Sequence, residues 1–180
     1  MNRASGFTLV ELMIAIAILA IMLLVALPNF SIWIQNTQIR TAGEAILNGM
    51  QLARAEAVRR NANIEVQLDL ASGWTVRVAG TGEVIQSRLA AEGSAAAAVT
   101  IAPVGATMVT FNSFGNLQTA NADGTVPITE IKIDSPSIAA ADSRELCILV
   151  RIGGNVRMCD PQTTAPDTRT CGATVPDGCK

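Results

Sequence analysis

The chain has no histidine and no tyrosine, only 3% of its 180 residues are aromatic, and only 16% are charged. Without histidine it lacks the commonest general base, the usual proton switch near neutrality and a favoured zinc ligand. No nucleophile–base pair can be read from the sequence, paired carboxylates cannot be inferred from spacing, and an enzyme is the least supported class. The net charge is −2, so no overall basic field draws nucleic acid or anionic lipid to the molecule. Gly80 and Gly82 lie in a strand connection with no helix behind them, which excludes a phosphate-cradling loop. Cysteine is absent before Cys147, and Cys147, Cys159, Cys171 and Cys179 contain no CxxC pair. A zinc site is disfavoured on that spacing, and neither a metal nor a cofactor is implied.

What the chain does have is one long apolar run. From Phe7 to Leu27 it is interrupted only at Thr8 and Glu11, and Arg3 precedes it. At ~1.5 Å per helical residue the run spans roughly 30 Å, the thickness of a bilayer's hydrocarbon core. A basic start favours the N-terminus inside and the bulk of the chain outside. A cleavable secretory signal would end at small residues of the A-x-A kind. Here Ala26-Leu27-Pro28-Asn29 offers no such site, and the helical pattern continues.

Beyond Pro28, Ile34, Ile39, Ala42, Ile46, Met50, Ala53 and Ala57 recur along one stripe, with polar residues on the other faces. The reading is one helix in two regimes, apolar all round to Leu27 and amphipathic to about Asn61. Pro28 removes a backbone hydrogen bond within it and is expected to kink it. Gly43 and Gly49 weaken the second half unless a sheet packs closely there. Glu11 stands out, because a carboxylate in the bilayer centre costs about 2.5–3.5 kcal/mol on insertion scales and such residues carry roles.

After Asn61 the period changes to two. Ile64 to Leu70 and Trp74 to Val78 alternate around an Ala-Ser-Gly turn and predict a hairpin. Further strands are expected at Glu83–Arg88, Val99–Ala102, Met108–Asn112, Ile128–Asp134, Glu145–Ile152 and Val156–Cys159. Ala90–Ala98 reads as a helical turn or a loop, Asn116–Pro127 as a loop, and Asp160–Lys180 as a tail of little regular structure. The class is α+β: a long N-terminal helix, half transmembrane and half amphipathic, packed on one or two antiparallel sheets. The four cysteines read as disulfides in an oxidising compartment such as a periplasm. If Ile148 opposes Met158, then Cys147 opposes Cys159, and this register favours Cys147–Cys159 with Cys171–Cys179 among three possible connectivities.

The string GFTLVELMIAIAILAIMLLVALPNF resembles the leader and N-terminal signature of type IV pilins and type II secretion pseudopilins. That resemblance implies a pilin-like fold, and residues 1–6 as a leader cut between Gly6 and Phe7 by a prepilin peptidase, with N-methylation of Phe7. It assigns assembly roles to Glu11 and Pro28. It divides the rest into a transmembrane and filament-core helix (7–29), an amphipathic half-helix (30–61) and a periplasmic or extracellular domain (62–180).

ARAEAVRRN, VTFNSFGNL and CILVRIGGNVRMC resemble the GspH/FimT-like branch of minor pilins and pseudopilins. This implies a minor type IV pilin that primes or caps the pilus, or alternatively a minor pseudopilin of a type II secretion system. Implied partners are other minor pilins or pseudopilins, the major pilin, the peptidase, an inner-membrane assembly platform and, before assembly, lipid. The implied location is the inner membrane with a periplasmic domain, and afterwards the fibre. Some relatives carry a basic GRxR motif for DNA. The matching stretch here is Gly154-Asn155-Val156-Arg157, which lacks the first arginine. Arg151, Arg157 and Arg169 remain candidate phosphate contacts, diluted by Asp160 and Asp167, and a solvated charged face is the more economical reading.

Overall fold

The computed structural model describes residues 7–180 and divides into two units, one ending at Ile34 and one running from Gln35 to Lys180. Helix α1 (Leu9–Arg60) runs through both. It is followed by β1 (Ile64–Leu68), β2 (Trp74–Val78), β3 (Val84–Arg88), β4 (Ala98–Ala102), β5 (Met108–Phe111), β6 (Glu130–Asp134), β7 (Leu146–Val150), β8 (Val156–Cys159) and a 3-10 turn at Asp177–Cys179.

In the first unit, Thr8 opens the helix. Its hydroxyl accepts a hydrogen bond from the Glu11 N–H at 3.2 Å, the first arm of a T-x-x-E cap. The described apolar side chains from Phe7 to Trp33 are exposed, apart from half-buried Ile32. An apolar helical segment whose described side chains are left exposed is suited to lipid or to other helices.

In the second unit the expected stripe is the buried face of α1: Ile39, Ala42, Ile46, Met50, Ala53 and Ala57 are each 0% exposed. Each buried isoleucine contributes about 1.5–3 kcal/mol by leaving water. Both helix glycines sit where side chains of the sheets approach the helix closely. A Cβ at Gly49 would lie 3.0 Å from the Trp74 ring, and one at Gly43 would lie 2.9 Å from the Met158 sulfur. The helix ends in a Schellman turn, with Asn61 at φ 51° and the Ala62 N–H donating to the Ala57 carbonyl at 3.2 Å.

Two four-stranded antiparallel sheets follow, with orders β3-β2-β1-β5 and β4-β6-β7-β8. Their inner residues, among them Ile64, Val66, Val76, Val109, Phe111, Ile131, Ile133 and Ile148, join the helical stripe in a single core. The expected strands are all present with small boundary shifts. β1 stops at Leu68 rather than Leu70 because the Asp69 carboxylate accepts hydrogen bonds from the N–H groups of Ala71 and Gly73 and closes the turn. Ile128 lies outside β6, yet its N–H donates to the Met108 carbonyl and it is fully buried. Residues 90–97 form turns held to the helix by the Ala96 N–H donating to Gln38 Oε1 at 2.7 Å.

Candidate assembly site and the tail that covers the second sheet

The sequence points to the start of α1 as the place where assembly chemistry resides. Gly6 lies outside the described residues, as does the side chain of Pro28. Phe7 is exposed and precedes the Thr8 cap, which places Glu11 in the first helical turn. There a carboxylate faces the positive end of the helix dipole, worth about 0.3–1 kcal/mol when exposed. Treated as the segments Leu9–Leu24 and Asn29–Arg60, α1 is long and apolar enough to cross a membrane only when the two are taken together. Among the described residues no single helix is so by itself. One end of a greasy helix therefore presents exposed Phe7 and the Glu11 carboxylate within about one turn.

A second grouping was not read from the sequence. The three later motifs meet at one point of the Gln35–Lys180 unit. Arg54 donates through Nε to the Gly115 carbonyl at 3.0 Å, and the Leu117 N–H donates to the Ile152 carbonyl at 3.0 Å. Any Cβ on Gly154 would collide with the Gly115 carbonyl, and Gly154 is at φ +72°, so glycine is required on both counts. The helix end, the Asn112–Asn116 turn and the β7–β8 turn are thus locked to each other by a charged hydrogen bond and close backbone contact. The shared signal was the three motifs themselves, two of which carry glycine, but nothing in their spacing says that they touch.

Near this junction α1 carries a compact charge cluster. Arg59 and Arg60 both donate to Glu56, and Arg60 also reaches Glu83 at 3.1 Å. Hydrogen bonds from the two guanidinium groups hold the Glu56 carboxyl down to about 2.

The cysteines are all disulfide-bonded, but not in the expected pairs. The register is as expected, with Cys147 opposite Cys159. The bonds instead join Cys147 to Cys179 and Cys159 to Cys171. The Arg151 N–H donates to the Asn155 carbonyl, so the antiparallel alternation makes Cys147 and Cys159 a hydrogen-bonded pair four residues along. At such pairs the Cα atoms stand about 5.5 Å apart and side chains are less close than at the alternate positions. Each cysteine therefore turns to the returning tail. The tail lies on the outer face of β4-β6-β7-β8: the Gly178 N–H donates to Glu130 Oε2 at 2.8 Å, and a Cβ at Gly178 would collide with Ala102 and Glu130. Cys147, Leu149, Cys159, Cys171 and Cys179, with Val175, make a small second core beneath it. The sulfurs of Cys147, Cys159 and Cys171 lie within 4.8 Å of one another, the one metal-sized group among the described residues, but the disulfides use all three.

Two of the three candidate phosphate-contacting arginines are engaged by this tail. Arg157 donates to the carbonyls of Thr168 and Thr170, and Arg169 pairs with Asp167 at 2.7 Å, which lowers the Asp167 carboxyl to about 2. Arg151 is exposed. The geometry organises Arg157 and Arg169 around carbonyls and a carboxylate rather than around an open anion site, and a DNA-binding role has no support.

Comparison with known proteins agrees with this layout. Residues 42–164, more than half of the chain, match the family model described as type II transport protein GspH. Residues 1–27 match the prokaryotic N-terminal methylation motif. No curated protein matches the chain. Two crystal structures of the type IV minor pilin FimU from Pseudomonas aeruginosa PAO1 are similar in fold. The form in space group P21 has a TM-score of 0.51 at 19% identity, covering 69% of this chain and 93% of that one. The P65 form has a TM-score of 0.50 at 18% identity, covering 69% and 98%.

Proposed function

We propose that this chain, which belongs to the GspH family, is a minor type IV pilin that primes assembly of the pilus or caps it together with other minor pilins. Its N-terminal helix and methylation motif are those of a membrane-anchored pilin with a periplasmic domain, and the pilin and pseudopilin families are structural rather than enzymatic. The observation that carries the reading is the uncovered apolar half of α1 attached to a β-rich unit with its own closed core. Such a helix has two stable environments, a bilayer and a bundle of like helices, and transfer from one to the other is assembly.

The chemistry supports a directional transfer. Cleavage between Gly6 and Phe7 creates a cationic amine at Phe7, next to the first turn that holds Glu11. Glu11 of one subunit then neutralises the amine of a neighbour. Two such charges about 4 Å apart attract by about 4 kcal/mol at an effective dielectric near 20, before desolvation is subtracted. An uncleaved subunit lacks the amine at that depth, so leader removal by the prepilin peptidase gates entry through the assembly platform. The pilus is favoured by the likeness in fold to a type IV minor pilin.

The alternative, a minor pseudopilin of a type II secretion system, is favoured by the description of the matching family model as a type II transport protein. Co-purification of the tagged full chain, extracted in detergent, separates the two. Recovery with the other minor pilins of the same genome supports the pilus, recovery with its pseudopilins supports secretion, and recovery with neither refutes the assembly role.

A further inference from the structure

Phe30 and Trp33 stack on one another at the end of the first unit, with ring centroids 5.8 Å apart and planes at 25°. Both rings stay exposed, at 57% and 62%. The other tryptophan, Trp74, is 6% exposed and packed in the core, as a large ring usually is. The pair follows directly on the apolar run that ends at Leu27, and polar Asn29, Ser31, Gln35 and Asn36 surround it in sequence. We propose that the Phe30–Trp33 stack is an interfacial anchor that sits among the phospholipid headgroups of the periplasmic leaflet and sets the depth of the helix in the membrane before assembly. This rests on the membrane-anchored reading given above.

The depth follows from helix geometry. Phe30 and Trp33 lie three and six residues past Leu27, so roughly 4.5 and 9 Å further along the axis at ~1.5 Å per residue. The headgroup layer adds about 5–8 Å on each side of a ~30 Å hydrocarbon core. Long helical side chains point back over the turn N-terminal to their own Cα. The stack keeps the indole beside the Phe30 ring, and with that backward lean it falls in that layer. An indole has an apolar body and one N–H donor, the combination that collects at the membrane–water boundary.

The test uses the full chain with Trp74→Phe, reconstituted into phosphatidylethanolamine and phosphatidylglycerol vesicles, so that Trp33 is the sole tryptophan. Flotation first establishes that the protein is in the membrane. Trp33 emission is then measured with nitroxide at the headgroup, with bromine near the bilayer centre, and with aqueous iodide. The expected result is the largest loss with the headgroup probe. A larger loss with bromine near the bilayer centre, or with iodide alone, in protein that floats would overturn the anchor and leave the membrane reading intact. Failure to float would overturn both. If Trp74→Phe does not fold, the difference between the parent chain and Trp33→Phe gives the same Trp33 signal.

Discussion

Gly49→Ala sets two effects of known size against each other. In an exposed helix the change stabilises by about 0.8–1 kcal/mol, since alanine is the better helix former. At position 49 the new methyl would lie 3.0 Å from Cδ2 and Cε2 of Trp74 and 3.3 Å from Cε3, well inside ordinary carbon–carbon contact. The opposing group is the face of a rigid ring that is itself buried, so the ring must move as a body, and overpacking of that kind costs about 1–3 kcal/mol. The net expectation is a loss of about 1 kcal/mol, a fall of roughly 2–4 °C in Tm for a unit of this size, with a changed near-ultraviolet signal from Trp74. Gly43→Ala is the control. Its closest contact is the Met158 sulfur, the flexible part of an adaptable side chain, so the methyl is accommodated and stability is unchanged or improved. Placing Gly49→Ala in a Trp74→Phe background should turn the loss into a gain, because the smaller ring frees the space. The measurement is thermal and urea unfolding of the Gln35–Lys180 unit in the parent, Gly49→Ala, Gly43→Ala, Trp74→Phe and the Gly49→Ala, Trp74→Phe double variant. If Gly49→Ala alone raised stability by the full helix-propensity increment, the close-packing argument would be wrong.

Other expectations concern different parts of the molecule. Glu11→Val should leave membrane insertion and leader removal intact while incorporation into fibres fails, and normal incorporation would remove Glu11 from the assembly scheme. Peptide mapping without reduction should recover Cys147 linked to Cys179 and Cys159 linked to Cys171, whereas a Cys147–Cys159 peptide would refute the arrangement of the tail. With separations of 32 and 12 residues, loop-closure entropy predicts that removing the first bond costs more than removing the second, about 3.7 against about 2.8 kcal/mol in that model-dependent treatment. The Asp167 carboxyl is depressed to about 2 by hydrogen bonds from Arg169. A lowered folded-state value stabilises above the ordinary carboxylate range, and that contribution is lost as pH falls through about 2. The NMR titration of Asp167 should therefore have a low midpoint that rises toward the usual value in Arg169→Ala.

How much of this was legible in the sequence depends on what each pattern encodes. A period of two states which way a residue faces, and so Ile64, Val66 and Val76 could be assigned to the core side before any neighbour was known. It does not state which strand lies alongside. β5 is the edge partner of β1 rather than of the nearer β4, and this splits eight strands into two sheets, because the hydrogen bonds that decide it join residues with no local mark. The stripe on α1 was legible for the same reason as the strands, and its glycines gained their meaning only from what lies opposite, Trp74 in one case and Met158 in the other.

The tail shows where the reasoning failed. Opposing Cys147 to Cys159 was correct, but opposition in a register is not proximity of sulfur atoms. At a hydrogen-bonded pair the side chains are less close, and the chain that returns across the sheet supplies the nearer partners. That difference has a functional side. A bond between Cys147 and Cys159 would only have reinforced a hairpin that the ladder already holds. The bonds present tie the tail at two points to the outer face of the second sheet, and Glu130 and Arg157 add hydrogen bonds to it. The surface on that side is therefore the tail rather than the bare sheet, so any contact made there meets the part of the chain that has least regular structure.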